Sequence, residues 1–146
     1  MISFFAAGIP KGQPRPRAFA RKFGNTYSAR VYDPGTAEGW KAQVALAAKA
    51  SLYGVFPLPG PLGVSLAFYM PRPKGHFGKK GLKASAPSFP TGKPDVDNLA
   101  KAVLDALTQV GMWVDDAQII TLMVSKHYGQ KTGCQIQIEE LSEVPV

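Results

Sequence analysis

The stretch that decides the fold reads Lys93-Pro94-Asp95-Val96-Asp97-Asn98-Leu99-Ala100-Lys101. A helix can begin directly after Pro94, so Asp95 or Asp97 is expected to cap one here. Apolar residues then recur every three or four positions, which is the spacing of one buried helical face. These residues are Val96, Leu99, Val103, Leu107 and Val110. The spacing predicts a helix from about Val96 to about Val110, and Gly111 suits the left-handed stop that ends it.

Acidic residues are concentrated around this helix. Five of the ten Asp and Glu residues lie between Asp95 and Asp116, in a chain whose formal net charge is +7. Asp97 and Lys101 are one helical turn apart and project from neighbouring points of the helix surface. Asp95 precedes the first turn in an extended stretch, which can aim its carboxylate to the same side. Two carboxylates and one ammonium group are therefore expected to converge at the helix N-terminus.

Carboxylates clustered in this way predict a metal site, because a hard divalent cation relieves their mutual repulsion. Mg²⁺ prefers oxygen ligands and usually takes one or two protein carboxylates together with substrate phosphate oxygens. Asp95 and Asp97 with one member of Asp115-Asp116 would form such a half-open site. The alternative is structural: the first two cap the helix, Lys101 pairs with Asp97 or Asp105, and the later pair forms a polar turn. The structural alternative is the better one for any single aspartate, whereas the metal interpretation is favoured for the group.

The segment from Lys93 to Tyr128 resembles the RusA-like Holliday-junction resolvases of bacteria and their phages. The resemblance is carried by Asp95-Val96-Asp97-Asn98-Leu99-x-Lys101-Ala102-x-x-x-Asp105-Ala106-Leu107 and by Trp113-x-Asp115-Asp116-Ala117-Gln118-Ile119. It implies a homodimeric, Mg²⁺-dependent endonuclease that makes symmetric nicks in opposing strands of a four-way DNA junction, in recombination and repair. It also implies four catalytic residues, of which the three aspartates bind the metal. By position these residues are Asp95, Asp97, Lys101 and Asp116.

Three features depart from the family pattern. A bacterial representative has Arg immediately before its D-x-D, where this chain has Pro94. The amino-terminal segment Gly8–Arg15 differs, and the glycine- and lysine-rich stretch before the motif is longer here. These departures bear on the DNA substrate and on any preference for a cleavage sequence, and they leave the acidic set unchanged.

Basic residues lie in two open stretches, and the net positive charge favours polyanionic partners because neutralised phosphates release counterions. The first, from Lys11 to Tyr32, is expected to lie along DNA or to be a solvated loop whose aromatic residues pack on the core. The second includes residues 74–90, an aperiodic segment predicted to be a mobile DNA-contacting loop, since long loops are usually functional. His76 in this loop is interpreted as solvated and is left out of the site. The predicted DNA-binding residues are Lys11, Arg15, Arg17, Arg21, Lys22, Arg72, Lys74, Lys79, Lys80, Lys83 and Lys93.

Length and composition indicate one globular domain. The chain has 146 residues, of which 45% are hydrophobic, with no apolar run long enough to span a membrane. The single cysteine, Cys134, excludes an internal disulfide and a cysteine-built zinc site, and it is interpreted as a small core residue. A reducing cytoplasm, of a bacterium or of a phage-infected host, is the expected compartment.

The order of elements predicts an α/β fold. The predicted elements are a strand at Ile2–Ala7, a helix from Asp33-Pro34 or Thr36 to about Leu52, a strand at Leu62–Met70, the helix described above, and a final hairpin with strands near 119–125 and 134–139 and a turn at 129–133. This order, strand-helix-strand-helix-strand-strand, gives a mixed sheet of about four strands with two helices on one face. The D-x-D motif begins the second helix and Asp116 precedes the third strand, so both are expected to meet at one edge of the sheet.

These features together predict hydrolysis of a DNA phosphodiester. Mg²⁺ held by the aspartates would activate a water and neutralise charge, and Lys101 would hold that water or stabilise the transition state. One alternative is a non-catalytic protein that binds branched DNA, in which the acids are structural. Another is a nuclease for forks, flaps or single strands with the same site. A nucleotide phosphatase is disfavoured, because no glycine-rich phosphate loop is present.

Overall fold

The computed structural model of the chain describes residues 1–14, 17–23, 26–32 and 37–142. Within these ranges, two short 3-10 turns, at Lys74–His76 and Asp116–Gln118, accompany the strands and helices. In chain order the strands and helices are β1 (Ile2–Ala7), β2 (Arg17–Phe23), β3 (Thr26–Tyr32), α1 (Glu38–Ala50), β4 (Leu62–Met70), β5 (Phe77–Gly78), β6 (Gly81–Leu82), α2 (Val96–Gln109), β7 (Ile119–Tyr128) and β8 (Gly133–Glu140).

The central sheet has four strands in the order β1-β8-β4-β7. Strand β8 pairs antiparallel with both β1 and β4, whereas β4 and β7 are parallel. Successive side chains of β4 point to opposite faces of the sheet, so every second residue is buried in the core. These core residues are Leu62, Val64, Leu66, Phe68 and Met70. The predicted mixed sheet of about four strands is confirmed.

Both helices cover the core face of this sheet, as expected. Helix α2 buries Leu99, Val103 and Leu107, and it ends where the sequence predicted, with Gly111 at a φ of 84°. Helix α1 buries an equivalent stripe, and its N-cap residue is Ala37. The caps expected for it at residues 33–36 lie outside the described residues.

The stretch from Lys11 to Tyr32, expected to be an open segment, contains a β-hairpin instead. Strands β2 and β3 pair antiparallel in a register that matches Arg17 with Tyr32 and Phe23 with Thr26. The hairpin was not predicted because Arg, Lys and Ser residues in both strands interrupt the apolar alternation by which strands are recognised. The signal that predicts the hairpin is Gly24-Asn25, a two-residue turn sequence between two seven-residue runs.

Residues 74–90, expected to be a loop, also contain regular structure. Strands β5 and β6 form a two-residue ladder that matches Phe77 with Leu82, and Lys83 N donates to His76 O at 2.9 Å. Arg72 anchors the segment, because its guanidinium donates to Pro87 O at 2.7 Å and lies 4.4 Å from the centre of the Tyr128 ring. The segment is therefore a small hairpin fastened to the end of β7.

The turn at 129–133 and the last strand agree with the sequence. Cys134 lies in the core, and burial raises the pKa of its thiol to about 12. The thiol is therefore protonated near neutral pH and unreactive, as expected of a small core residue. None of the helices in the described part of the chain has the length and apolar character needed to cross a membrane.

Candidate active site

Helix α2 presents two carboxylates at its start. Asp95 is the N-cap residue, and its backbone oxygen accepts from Leu99 N at 3.0 Å, but its side chain makes no capping hydrogen bond. Asp97 lies in the first turn, and both side chains are exposed. Neither forms an ion pair with any residue that the structure describes. Among the described residues both carboxylates therefore lack a charged partner, and both residues lie at the start of the helix.

The orientation of these carboxylates is set by the opposite face of α2. Leu99, Val103 and Leu107 are fully buried against the sheet, so rotation of the helix about its axis would expose apolar surface. The segment after β1 adds a second support, because Gln13 N donates to Asn98 O at 2.9 Å. The start of α2 is thus held by the core and by the amino-terminal segment.

Lys101 lies one turn after Asp97 and is turned along the helix. Its ammonium lies 3.9 Å from Asp105 Oδ1, and 64% of its side chain is exposed. Exposed pairs of this kind contribute at most about 1 kcal/mol, so little free energy opposes movement of Lys101 toward another anion. The expected convergence of its ammonium with Asp95 and Asp97 is replaced in the structure by the pair with Asp105.

Asp115 and Asp116 have different roles in the 3-10 turn that precedes β7. Asp115 caps the turn, because its Oδ1 accepts from Ala117 N at 2.9 Å. Gln118 completes the capping box by accepting from Asp115 N at 3.2 Å, and its amide group also donates to Leu58 O and Gly60 O at 3.0 and 2.9 Å. Asp116 is exposed and is held in place by these neighbours.

The start of α2 and Asp116 lie at opposite ends of the fold. Helix α2 has 14 residues and is therefore about 21 Å long. Its start lies near the end of β7, because Lys126 Nζ donates to Gly92 O at 2.8 Å and to Pro94 O at 3.1 Å. Asp116 precedes Ile119, the first residue of β7. Lys126 follows Ile119 by seven residues, which is roughly 20 Å along a strand.

The expectation that D-x-D and Asp116 meet at one edge of the sheet is therefore wrong for a single chain. A helix that connects two parallel strands runs opposite to them, so its start and the start of the next strand lie at opposite ends. In agreement with this topology, the described residues contain no group of three or more His, Cys, Asp or Glu side chains placed to hold a metal ion.

A cleft of about 370 Å³ adjoins the start of α2. It lies between the segment after β1, the ends of β4 and β7, and the loop that leads into the D-x-D motif. Three lysines are among its lining residues, namely Lys11, Lys93 and Lys126. Cationic walls next to exposed carboxylates suit a phosphodiester backbone that must approach acidic groups.

Comparison with known proteins places this arrangement in a family. A family model described as Endodeoxyribonuclease RusA matches residues 7–139. The chain belongs to the RusA endodeoxyribonuclease family. The resemblance predicted from the D-x-D and Asp115-Asp116 motifs is confirmed at this level.

Relatives of this RusA-family chain include proteins with and without a named activity. Uncharacterized protein YqaN of Bacillus subtilis (strain 168) is 34% identical over 144 residues, which cover 97% of each chain. Crossover junction endodeoxyribonuclease RusA of Escherichia coli (strain K12) is 56% identical over 39 residues, and the protein of that name from Enterobacteria phage 82 has the same identity. This shorter match covers 27% of the present chain and 32% of each of those two relatives.

The predicted DNA-binding residues of the RusA-family chain fall into four groups. Lys11 and Lys93 line the cleft beside α2, and Arg72 is engaged with Pro87 and Tyr128. Four lysines are exposed on the 74–90 hairpin segment, namely Lys74, Lys79, Lys80 and Lys83. Arg15 lies outside the described residues, and the structure describes the backbone alone for Arg17, Arg21 and Lys22. Of the predicted DNA-binding residues whose side chains are described, Lys11 and Lys93 thus lie beside the start of α2.

Lys126 was not among the predicted site residues, yet it holds the loop that leads into the D-x-D motif. Substitution Lys126→Met keeps the length of the side chain and removes both hydrogen bonds to Gly92 O and Pro94 O. We expect the free energy of unfolding to fall by about 1.5–3 kcal/mol, the usual contribution of hydrogen bonds to a charged group. Urea denaturation measures it, with the exposed Lys79→Met as matched control. Equal losses in the two variants would contradict an anchoring role for Lys126.

Proposed function

We propose that this protein is a Mg²⁺-dependent endodeoxyribonuclease that resolves four-way DNA junctions by paired nicks and acts as a homodimer. The observation that carries the proposal is the start of α2. There, in a RusA-family chain, Asp95 and Asp97 are exposed, lack ion pairs with described residues, and lie beside a cleft lined by lysines. The names of the relatives from Escherichia coli and phage 82 support the choice of a junction as substrate.

The residues present fit a magnesium ion. Mg²⁺ takes hard oxygen ligands and is usually bound by one or two carboxylates together with substrate phosphates. Asp95 and Asp97 would supply those carboxylates, because the side chain of Asp95 makes no capping bond and that of Asp97 is exposed. Within one chain Asp116 lies at the other end of α2, so a third oxygen ligand from Asp116 would have to come from the second protomer of the homodimer. When bound, the ion would neutralise charge on the phosphate and promote attack by water.

The chain's own residues would bind and orient the DNA strand. Lys11 and Lys93 in the cleft would hold phosphates on either side of the cleaved bond as fixed cations. Lys101 would leave Asp105 and stabilise the negative charge that builds on the phosphate in the transition state. The lysines of the 74–90 segment would extend the contact along the backbone.

Paired nicking explains why a homodimer belongs to the proposal. A four-way junction presents two opposing strands related by approximate two-fold symmetry, so two equivalent sites must act on it. A two-fold dimer provides two such sites from one gene product.

Cleavage of a synthetic four-way junction, with each of its four strands labelled in turn, tests the proposal. We expect symmetric nicks in two opposing strands with Mg²⁺ present, no nicks with the metal chelated, and no cleavage of a matched linear duplex. Binding of the junction without cleavage under Mg²⁺ or Mn²⁺ would replace the proposal with a DNA-binding function. Equal cleavage of a fork or flap would instead assign the site to a nuclease of different specificity.

A further inference from the structure

A second pocket, of about 410 Å³, lies between the 74–90 hairpin segment and the end of β7. Its volume is within the range of pockets that hold small organic groups. Phe77 and Leu82 line it as a pair, because they are matched across the two-residue ladder of β5 and β6. Phe77 is 49% exposed and Leu82 is 52% exposed. Two neighbouring apolar side chains that are half open to solvent are available to contact a ligand.

Tyr128 contributes a second aromatic ring to the lining of this pocket, and contacts hold that ring in place. The guanidinium of Arg72 lies 4.4 Å from its centre, and the ring of His76 meets it edge-on at 5.4 Å between ring centres. Arg72 Nη1 also lies 3.3 Å from His76 Nδ1 and donates to Pro87 O. The pocket is thus formed before a ligand arrives, which lowers the free energy lost on binding.

The chain around the pocket is basic. Residues 71–94 include six Lys and Arg residues and no Asp or Glu, and the four lysines of the 74–90 segment are exposed. Pro71 and Tyr128 line both this pocket and the cleft beside the start of α2, so the two are adjacent. An apolar, aromatic pocket within a cationic surface is complementary to single-stranded DNA, whose backbone is anionic and whose bases have apolar ring faces.

We propose that this pocket receives an unpaired nucleobase of the bound DNA, which stacks on the ring of Phe77. The proposal rests on the nuclease function given above and adds a subsite for the DNA substrate. Gln130 and Thr132 also line the pocket and offer an amide and a hydroxyl to the edge of a base. Bases that are already unpaired cost least to draw out of the stack, so the point where junction strands exchange is the favoured source. A base held here would fix the strand relative to the carboxylates at the start of α2.

Two junctions that differ by a single base test this subsite. One carries an unpaired thymidine at the branch point and the other an abasic residue in its place, so both have the same phosphates. Gel-shift titration with the metal chelated measures binding without cleavage. We expect the wild type to bind the thymidine junction roughly 5- to 150-fold more tightly, which is the range for one base stacked on an aromatic side chain. A wild type that binds both junctions equally would overturn the proposal.

Phe77→Ala is expected to bind the two junctions equally. Its binding should keep the salt dependence of the wild type, because no charge is lost. Phe89→Ala is the matched control, since Phe89 is a 69% exposed aromatic residue of the same segment outside the lining of the pocket, and it should keep the preference for thymidine. A Phe77→Ala protein that keeps this preference would overturn the proposal.

Phe77→Leu and Phe77→Trp separate stacking from packing within the hairpin. Leucine keeps an apolar side chain across the ladder from Leu82 but has no ring, so this variant should lose the preference for thymidine. Tryptophan restores a ring and should restore the preference. Both proteins should have the circular dichroism spectrum of the wild type. A Phe77→Leu protein with the full preference would overturn the stacking role of Phe77.

Failure of the base pocket and failure of the nuclease function give different results. A wild type that cuts four-way junctions with Mg²⁺ but does not distinguish thymidine from the abasic residue would overturn the pocket alone. A wild type that prefers the thymidine junction but cuts no DNA would contradict the proposed function and support the pocket.

Discussion

Asp97→Asn is expected to reduce Mg²⁺-dependent cleavage of a four-way junction by about 10³-fold while junction binding is retained. Charge stabilisation by a metal contributes several kcal/mol to the transition state, and each 1.36 kcal/mol corresponds to about a factor of ten in rate. Asparagine keeps the size of the side chain but removes the negative charge that a hard cation requires. Binding depends mainly on lysine contacts to phosphates, which this substitution leaves in place.

Single-turnover cleavage and a gel-shift titration on the same junction measure the two effects separately. The matched control is Glu38→Gln, because Glu38 is the acidic residue in the first turn of the other helix and makes the same electrostatic contribution to its helix start. Both variants would therefore lose the favourable interaction of an acidic side chain with the helix dipole, which contributes about 0.3–1 kcal/mol of stability. An Asp97→Asn protein that cuts at the wild-type rate would show that Asp97 is only a helix-start residue, which is the structural alternative set out above.

Elements with a strong apolar period could be predicted from the sequence. The bounds of β1 and β4 agree with their alternating or continuous apolar runs, and α2 agrees because Leu99, Val103 and Leu107 mark one buried face. The hairpin of β2 and β3 was missed because its strands are rich in Arg, Lys and Ser, which dilute the apolar alternation by which strands are recognised.

The acidic site could be predicted only in part. Asp95 and Asp97 are neighbours in sequence and share the start of α2, so local geometry is sufficient to place them together. Asp116 follows Asp97 by 19 residues, and most of α2 and a turn lie between them. Its position is set by the start of β7, which depends on the parallel pairing of β7 with β4. The anchoring role of Gln118 was also beyond sequence reasoning, because its partners Leu58 and Gly60 are 60 and 58 residues away.

Trp113→Ala is expected to lower the free energy of unfolding by about 3–5 kcal/mol, a large part of the roughly 5–15 kcal/mol of a typical domain. Trp113 is 1% exposed, and its backbone lies next to Leu58, whose N donates to Met112 O at 2.9 Å. Its indole Nε1 donates to Thr108 Oγ1 at 2.7 Å, and this hydroxyl donates in turn to Leu104 O at 2.9 Å. Trp113 therefore joins the end of α2, through its side chain, to the segment that enters β4, through its backbone.

Guanidinium denaturation followed by circular dichroism measures this loss, and Trp113→Phe is the matched comparison. Phenylalanine fills most of the space and removes the hydrogen bond to Thr108, so we expect a loss of about 1–2 kcal/mol. Equal losses in the two variants would show that the hydrogen bond, rather than the packed ring, holds this end of the helix. Because Asp116 follows Trp113 by three residues, the alanine variant should also cut a junction more slowly at temperatures where it remains folded. Cleavage by folded Trp113→Ala protein at the wild-type rate would mean that the position of Asp116 does not depend on this anchor.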